Sequence, residues 1–179
     1  MHKTKTTESR TTESGATESR TTESRTTVRM TGDLEPRSDW TADRCPIAGA
    51  LDVVGTRSAF LILREAFYGT TRFDDFAQRV GISEPVAAAR LRELVRDGML
   101  EREPYREPGK RTRQGYRLTP KGAELLPALA ALMQWGDRWL EDRGRVELRH
   151  HDCGEPVGVE LRCAAGHEVH GGELELARR

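Results

Sequence analysis

Residues 71–119 constrain the fold more than any other part of this 179-residue chain. They hold two short helix-like patterns separated by Gly81-Ile82-Ser83, followed by two strand-like patterns that flank Pro108-Gly109. Gly81 is a helix stop signal, Ser83 is a helix start signal, and a proline–glycine pair marks a turn. The order helix, turn, helix and hairpin predicts a winged helix-turn-helix.

Apolar residues recur at helical or alternating spacing through most of the chain after Trp40. The spacing predicts a mainly α fold with one small antiparallel β-wing. The predicted helices span residues 46–54, 57–67, 73–80, 84–97 and 120–141, and the predicted strands span residues 99–105 and 113–118. In the first helix we expect Ile47, Leu51 and Val54 to face the core.

The last predicted helix carries an apolar stripe that includes Trp135 and Trp139. Thr119 and Pro120 suit its N-cap and its first turn. A small domain cannot easily bury the whole stripe, and large exposed apolar patches mark contact surfaces. We therefore expect part of this helix to contact a partner.

Composition and charge exclude several classes of protein. The net charge is zero, which leaves nucleic-acid binding open because the local field decides it. No apolar run approaches the roughly 18 residues of a membrane helix, and the N-terminus lacks the apolar region of a signal peptide. Three cysteines are too few and odd in number for a disulfide scaffold. We expect a cytoplasmic protein without membrane contact.

The second helix of the motif predicts a surface for base contacts. Such a helix fits the major groove of DNA, where residues in its N-terminal half meet base edges. Arg92 can bind guanine or a phosphate, whereas Ala88 and Ala89 offer only methyl groups, so DNA shape is expected to add specificity. An ordinary solvated helix face is the competing interpretation. The candidate contacts here are Ser83, Pro85, Ala88, Ala89 and Arg92.

The hairpin is strongly basic. Residues 101–117 hold six basic and three acidic residues, a local excess of three positive charges. Lys110, Arg111 and Arg113 cluster at or beside its tip, which suits contact with phosphates or the minor groove. In the competing interpretation, the charges only protect an exposed strand edge from pairing.

Further motifs occur in order around this segment. They are Cys45-Pro46, the segments 61–65, 72–76, 90–94 and 115–119 (LILRE, RFDDF, RLREL and GYRLT), Asp97-Gly98 and Trp135-Gly136. Together with Gly81-Ile82-Ser83 they resemble the HxlR family of bacterial transcription regulators, a branch of the MarR-like winged helices, over about residues 45–140. The resemblance implies a homodimer built largely by N- and C-terminal helices, which binds near-palindromic operator DNA. We expect repression, because a dimer bound over a promoter blocks polymerase.

Cys45 aligns with a cysteine that some members of that family use to sense oxidants or electrophiles. A cysteine near a helix N-terminus can carry a reactive thiolate. The alternative is a small buried apolar side chain without a sensing role.

The C-terminal region contains two pairs of zinc-type ligands, His150 with Cys153 and Cys163 with His167. A segment that could form a hairpin joins the pairs, and His151 and His170 are spare candidates. A structural zinc site is one interpretation, and a variable, partly ordered tail with scattered histidines is the other.

We divide the chain into three regions. Residues 1–39 are a low-complexity tail, predicted to be disordered because its five-residue repeat contains no large apolar residue. In one interpretation the repeat is a solvated tail that can be phosphorylated on serine or threonine. In the other, translation starts at Met30, and the repeat is not part of the functional protein. Residues 40–142 form the winged helix-turn-helix domain for DNA binding and dimerisation. Residues 143–179 form the C-terminal His/Cys tail.

No sequence pattern points to catalysis. The chain lacks a glycine-rich phosphate loop, a nucleophile elbow and an HExxH helix. We therefore expect a non-enzymatic, sequence-specific DNA-binding regulator that needs no cofactor. Its expected partners are double-stranded DNA, which would hold it at the nucleoid, a second copy of itself and a small-molecule or redox effector. A winged helix used only for protein contacts is the alternative.

Overall fold

The computed structural model describes residues 28–34, 41–106, 108–109, 111–141 and 146–178. Within these ranges the α-helices are α1 Pro46–Val54, α2 Arg57–Phe67, α3 Phe73–Val80, α4 Glu84–Arg96, α5 Pro120–Ala123 and α6 Leu126–Trp139. The strands of the same ranges are β1 Arg29–Met30, β2 Leu100–Tyr105, β3 Arg113–Leu118 and β4 Glu175–Leu176. Short 3-10 turns lie at Gly32–Leu34, Ala42–Arg44 and Gly171–Glu173. The fold is mainly α with a small antiparallel hairpin, as the sequence predicts.

Local signals set the bounds of the first four helices. The Thr56 hydroxyl accepts a hydrogen bond from the Ala59 N–H, O···N 3.2 Å, and caps the start of α2. Gly81 ends α3 in the left-handed conformation, with φ 70°, which glycine adopts without strain. These bounds match the predicted ones within one residue.

The core lies where α2, α3 and α4 meet the base of the hairpin. Its most buried large side chains are Phe76, Ile62, Leu63, Leu91, Leu94 and Leu100. Val54 joins this core, but Ile47 and Leu51 are 70% and 54% exposed, so their predicted core positions are wrong. The helical spacing is correct, but only the C-terminal end of α1 reaches the core.

The predicted long last helix is interrupted after Ala123. Two helices, α5 and α6, replace it, and the second ends at Trp139 instead of Glu141. Pro127 explains the break, because proline has no N–H to donate to the Ala123 carbonyl and its ring crowds that oxygen. Pro127 lies in the first turn of α6, where a helix tolerates proline.

Strands β2 and β3 form an antiparallel hairpin in which Leu100 pairs with Leu118 and Tyr105 with Arg113. We call these strands and the turn between them the wing. Strand β1 pairs in parallel with β4, so residues 28–34 are structured within the region predicted as a tail. Residues 1–27 and 35–39 of that region lie outside the described residues, so the structure does not test the disorder predicted for them.

The C-terminal segment 146–178 lies partly against α6. The Gln134 side chain donates from Nε2 to the Val157 carbonyl oxygen, 2.6 Å, and accepts at Oε1 from the Val159 N–H, 3.1 Å. Isolated antiparallel bridges join Arg149 to Pro156 and Arg162 to Glu168. One glutamine side chain of α6 therefore hydrogen-bonds to the main chain of the segment, and the two bridges lie within the segment itself.

Among the described residues, no single helix is long and apolar enough to cross a membrane. By length and composition, α1 and α2 meet that requirement only as a pair, and the pair is bent by 78° at its junction.

Candidate nucleic-acid interface

Helices α3 and α4 and the turn between them form a compact unit. The Gly81 and Ile82 N–H groups donate to the Ala77 carbonyl oxygen, each at 3.1 Å. In α4 the side chains of Ala87, Leu91 and Leu94 are fully or almost fully buried. Because these three define the inner side of α4, the opposite side must face outward.

The predicted base-contact residues lie on the outer side of α4. Pro85 and Arg92 are exposed, and Ala88 and Ala89 are half-buried. Ser83 holds the N-cap position, but its side chain makes no capping hydrogen bond, contrary to the expected cap. Its exposed hydroxyl is therefore not used within the helix.

The arginines of α4 differ in their partners. Arg90 pairs with Glu93, and Arg96 pairs with Asp97 at 3.1 Å. The hydrogen bond and charge of Asp97 raise the pKa of Arg96 above its ordinary value, so Arg96 stays charged. No ion pair or hydrogen bond to Arg92 occurs within the described part of the chain, which leaves this guanidinium available to a ligand.

The wing presents further exposed arginines. Arg111 is exposed, and the described residues offer it no ion-pair partner. Arg113 lies 3.9 Å from the Asp74 carboxylate, but both side chains are largely exposed, so this pair is weak. Lys110, the third predicted wing contact, lies outside the described residues. Arg102 on β2 is also exposed, and the sequence prediction did not single it out.

The base of the wing is fixed to the start of α3. The Tyr116 N–H donates to the Thr71 carbonyl oxygen, 2.8 Å, and the Tyr116 ring meets Phe76 edge-on with centroids 6.1 Å apart. The Arg72 guanidinium lies 5.4 Å from the centre of the Tyr105 ring, within cation–π range. These contacts hold the wing and the helix pair in one arrangement.

A buried polar cluster fixes α3 against α2. Glu65 and Thr70 are buried, and the Thr70 hydroxyl donates to Glu65 Oε2, 3.2 Å. The same hydroxyl accepts from an Arg79 guanidinium N–H, 2.8 Å, and Arg64 binds Glu65 Oε1, 2.6 Å. Sequence reasoning missed this cluster because charged residues at these positions are usually solvated.

Cys45 is half-buried at the N-cap of α1. Its position at a helix N-terminus is the one expected, and a sensing role for it is untested.

The predicted zinc ligands occupy two separate turns. His150 Nδ1 lies 3.2 Å from Cys153 Sγ, and the Cys163 N–H donates to the His167 carbonyl oxygen, 3.0 Å. Among the described residues, no three His, Cys, Asp or Glu side chains are grouped closely enough to hold a metal ion. His150 and Cys153 could supply two ligands, and the zinc site stays a prediction.

Comparison with known proteins identifies relatives over most of the folded region. The family model for HxlR-like helix-turn-helix proteins matches residues 53–144. A Mycobacterium tuberculosis HTH-type transcriptional regulator is 43% identical over 126 residues, which cover 69% of this chain and 78% of that protein. The HTH-type transcriptional regulator YtfH of Escherichia coli is 37% identical over 95 residues, 52% of this chain and 74% of YtfH.

A solved structure supports the same fold. The crystal structure of PA1607, a protein proposed to be a transcription factor, superposes with a TM-score of 0.68 at 37% identity. The match covers 76% of this chain and 96% of that chain.

Proposed function

Because this chain belongs to the HxlR-like helix-turn-helix family of transcription regulators, we propose that it represses transcription as a homodimer on near-palindromic operator DNA. The observation that carries the proposal is the exposed Arg92 on the outer side of α4, which has no ion-pair or hydrogen-bond partner among the described residues. An arginine there can bind guanine or a phosphate when the helix enters the major groove. Such a protein works in the cytoplasm, on the chromosome.

The wing supports the proposal with charge. Arg111 and Arg113 are exposed beside the turn of the wing. The base of the wing is hydrogen-bonded to Thr71, two residues before α3 begins. Arginines in such a position bind phosphates without regard to sequence, so they fix the position of α4 on the duplex. Ala88 and Ala89 offer few base contacts, and DNA shape then adds specificity.

The homodimer is proposed from the apolar face, which we define as five of the exposed large apolar side chains of α1 and α6: Ile47, Leu51, Leu132, Trp135 and Trp139. Trp135 and Trp139 are 57% and 66% exposed, an unusual state for tryptophan. Leu132, Trp135 and Trp139 are three and four residues apart, so they share one side of α6, and an exposed apolar patch of this kind marks a protein contact. A two-fold dimer would present two copies of α4 to two half-sites about one helical turn of DNA apart.

DNA binding is tested by selecting bound fragments from the source genome and measuring affinity at several salt concentrations. We expect Arg92→Ala to lower affinity by about 1–3 kcal/mol and to relax preference at one base pair if Arg92 contacts a base. If it contacts phosphate, the salt slope falls by about one instead. Arg57→Ala, an exposed arginine on α2, is the matched control. Absence of binding to every fragment at low salt would refute the proposal.

Dimerisation is tested by sedimentation equilibrium. We expect twice the chain mass for the protein and the single mass for a Trp135→Ser/Trp139→Ser variant. Val146→Ser removes an exposed apolar side chain of the C-terminal segment and should leave the dimer intact. A monomeric wild type would exclude the homodimer while leaving DNA binding open.

A further inference from the structure

The first turn of α4 carries an exposed apolar side chain on the surface proposed to meet DNA. Val86 is 43% exposed, although α4 buries Ala87, Leu91 and Leu94 on its inner side. A lone exposed valine is ordinary on a protein surface, so its neighbours decide what it means. Val86 does not lie alone, because two residues that border it on the outer side of α4 are apolar as well.

Pro85, Val86 and Ala89 form one continuous surface, which we call the α4 patch. Residues three and four positions apart are neighbours on a helix, so Ala89 lies beside both Val86 and Pro85. Arg92, three residues further on, borders Ala89 in the same way. Pro85 and Val86 are exposed, and Ala89 is half-buried. The α4 patch therefore extends the surface around Arg92 towards the N-terminus of the helix.

The charged side chain next to Val86 is already paired. Arg90 follows Val86 by four residues, and its guanidinium binds the Glu93 carboxylate. Both charges of this ion pair are therefore compensated within α4. Ser83 and Glu84 are the exposed polar residues at this end of the helix, and they precede the patch. The α4 patch itself therefore offers a DNA base only apolar contact.

We propose that the α4 patch, with Val86 as its main contact, reads the C5-methyl group of a thymine. This inference rests on the proposed DNA binding and adds a specificity residue to it. The thymine methyl is the apolar group that a base pair displays in the major groove, so an apolar side chain distinguishes thymine there. Val86 precedes Arg92 by six residues, about 9 Å along the helix axis. We therefore expect the thymine to lie within about three base pairs of the base or phosphate that Arg92 contacts.

The test uses the full-length protein and a bound fragment selected from the source genome, in which each thymine is replaced in turn by deoxyuridine. Deoxyuridine pairs with adenine as thymine does and lacks only the C5-methyl group. We expect one replacement in each half-site to weaken wild-type binding about fourfold, the value for one buried methyl group. We expect Val86→Ala to bind the thymine and deoxyuridine fragments with less than about a twofold difference. Val146→Ala, which shortens an exposed valine of the C-terminal segment, should discriminate like the wild type.

Two outcomes would overturn the inference and leave the proposed function standing. In the first, the wild type binds the fragment and no single deoxyuridine weakens binding, a result that depends on no variant. In the second, deoxyuridine weakens Val86→Ala as much as the wild type, which would assign the methyl effect to another residue or to the stiffness of the duplex. Because Val86 is exposed, we expect its variant to unfold cooperatively near the wild-type temperature. Absence of binding to every fragment at low salt would overturn the proposed function and this inference together.

Discussion

At the scale of single residues, Thr70 joins two helices through one hydroxyl group. It is 3% exposed, donates to Glu65 of α2 and accepts from Arg79 of α3. Its N–H also donates to the Glu65 carbonyl oxygen, 2.9 Å. The loop between α2 and α3 is therefore fixed by these hydrogen bonds, which hold α3 against α2.

We expect Thr70→Val to lower the free energy of unfolding by about 1–3 kcal/mol, because Glu65 Oε2 loses its donor and the Arg79 N–H loses its acceptor. Urea unfolding followed by circular dichroism measures the change. Thr71→Val is the matched control, since Thr71 is exposed and its carbonyl oxygen, not its hydroxyl, forms a hydrogen bond with the described residues. Equal loss in the two variants would show that the buried hydroxyl has no special role.

The redox hypothesis makes a separate prediction for Cys45. If its thiolate is the sensor, hydrogen peroxide releases the wild type from DNA, and Cys45→Ser stays bound under the same treatment. Cys163→Ser, which removes an exposed cysteine of the C-terminal segment, should respond like the wild type. Fluorescence anisotropy with labelled operator DNA measures the release. Unchanged release from Cys45→Ser would exclude this sensor.

Residue-scale predictions from sequence were best where one helix face packs on several neighbours. Helical spacing also predicts Ala87, Leu91, Leu94 and Val95 as the inner side of α4; the first three are buried, and Val95 is partly buried against the core. The same reasoning was wrong for Ile47 and Leu51, because spacing identifies an apolar face but not what covers it.

At the scale of elements, the contact between the wing and α5 depends on one glycine. The Thr119 hydroxyl caps α5 by accepting from the Gly122 N–H, 3.0 Å, and donates to the Gly98 carbonyl oxygen, 2.6 Å. A Cβ atom at Gly122 would overlap the Met99 carbonyl oxygen. The start of α5 therefore approaches the backbone at the start of the wing as closely as glycine allows.

We expect Gly122→Ala to destabilise the protein by about 1–3 kcal/mol, the usual cost of overpacking. Gly136→Ala is the control on α6, where the new methyl would meet Leu140 Cδ1 at an ordinary 3.9 Å. That change should stabilise by about 0.5–1 kcal/mol through helix propensity. Thermal unfolding should therefore shift in opposite directions, and two shifts of the same sign would contradict the contact.

The wing makes a prediction about salt. We expect Arg111→Gln and Arg113→Gln each to reduce the slope of log affinity against log salt by about one, with little change in which sequence is preferred. Arg117→Gln is the control, because its guanidinium already pairs with Glu101 at 2.8 Å. A changed sequence preference without a changed slope would place these arginines on bases instead of phosphates.

Element bounds were predictable where a local stop signal exists. Gly81 and Gly98 ended α3 and α4 as expected, because both adopt a positive φ that favours glycine. The last helix was predicted as continuous because the apolar stripe runs past Pro127, and the stripe obscured the proline break. The Ser83 cap was predicted from residue type alone, and residue type does not decide which way a hydroxyl points.

At the scale of the whole molecule, the two ends of the described chain meet. The Arg29 N–H donates to the Leu174 carbonyl oxygen, 2.9 Å, and the Thr31 N–H to that of Leu176, 3.1 Å. Sequence could not predict this pairing, because both strands have two residues and no turn joins them.

The zinc hypothesis is also tested on the whole protein. It predicts one zinc per chain by mass spectrometry of the natively purified protein, lost in Cys153→Ser and retained in Cys45→Ser. Metal binding would bring the His150 and Cys163 turns together and raise the unfolding temperature, because a bound ligand stabilises the native state. Well under one zinc per chain in the wild type would exclude a structural site.

The contact of Gln134 with the C-terminal segment limits which amino-acid substitutions that segment tolerates. Both hydrogen bonds go to main-chain atoms, the Val157 carbonyl oxygen and the Val159 N–H, so the helix recognises a peptide backbone and not particular side chains. Every amino acid except proline supplies that N–H at position 159. Substitutions at positions 157 and 159, except proline at 159, therefore leave the groups that bond to Gln134 in place.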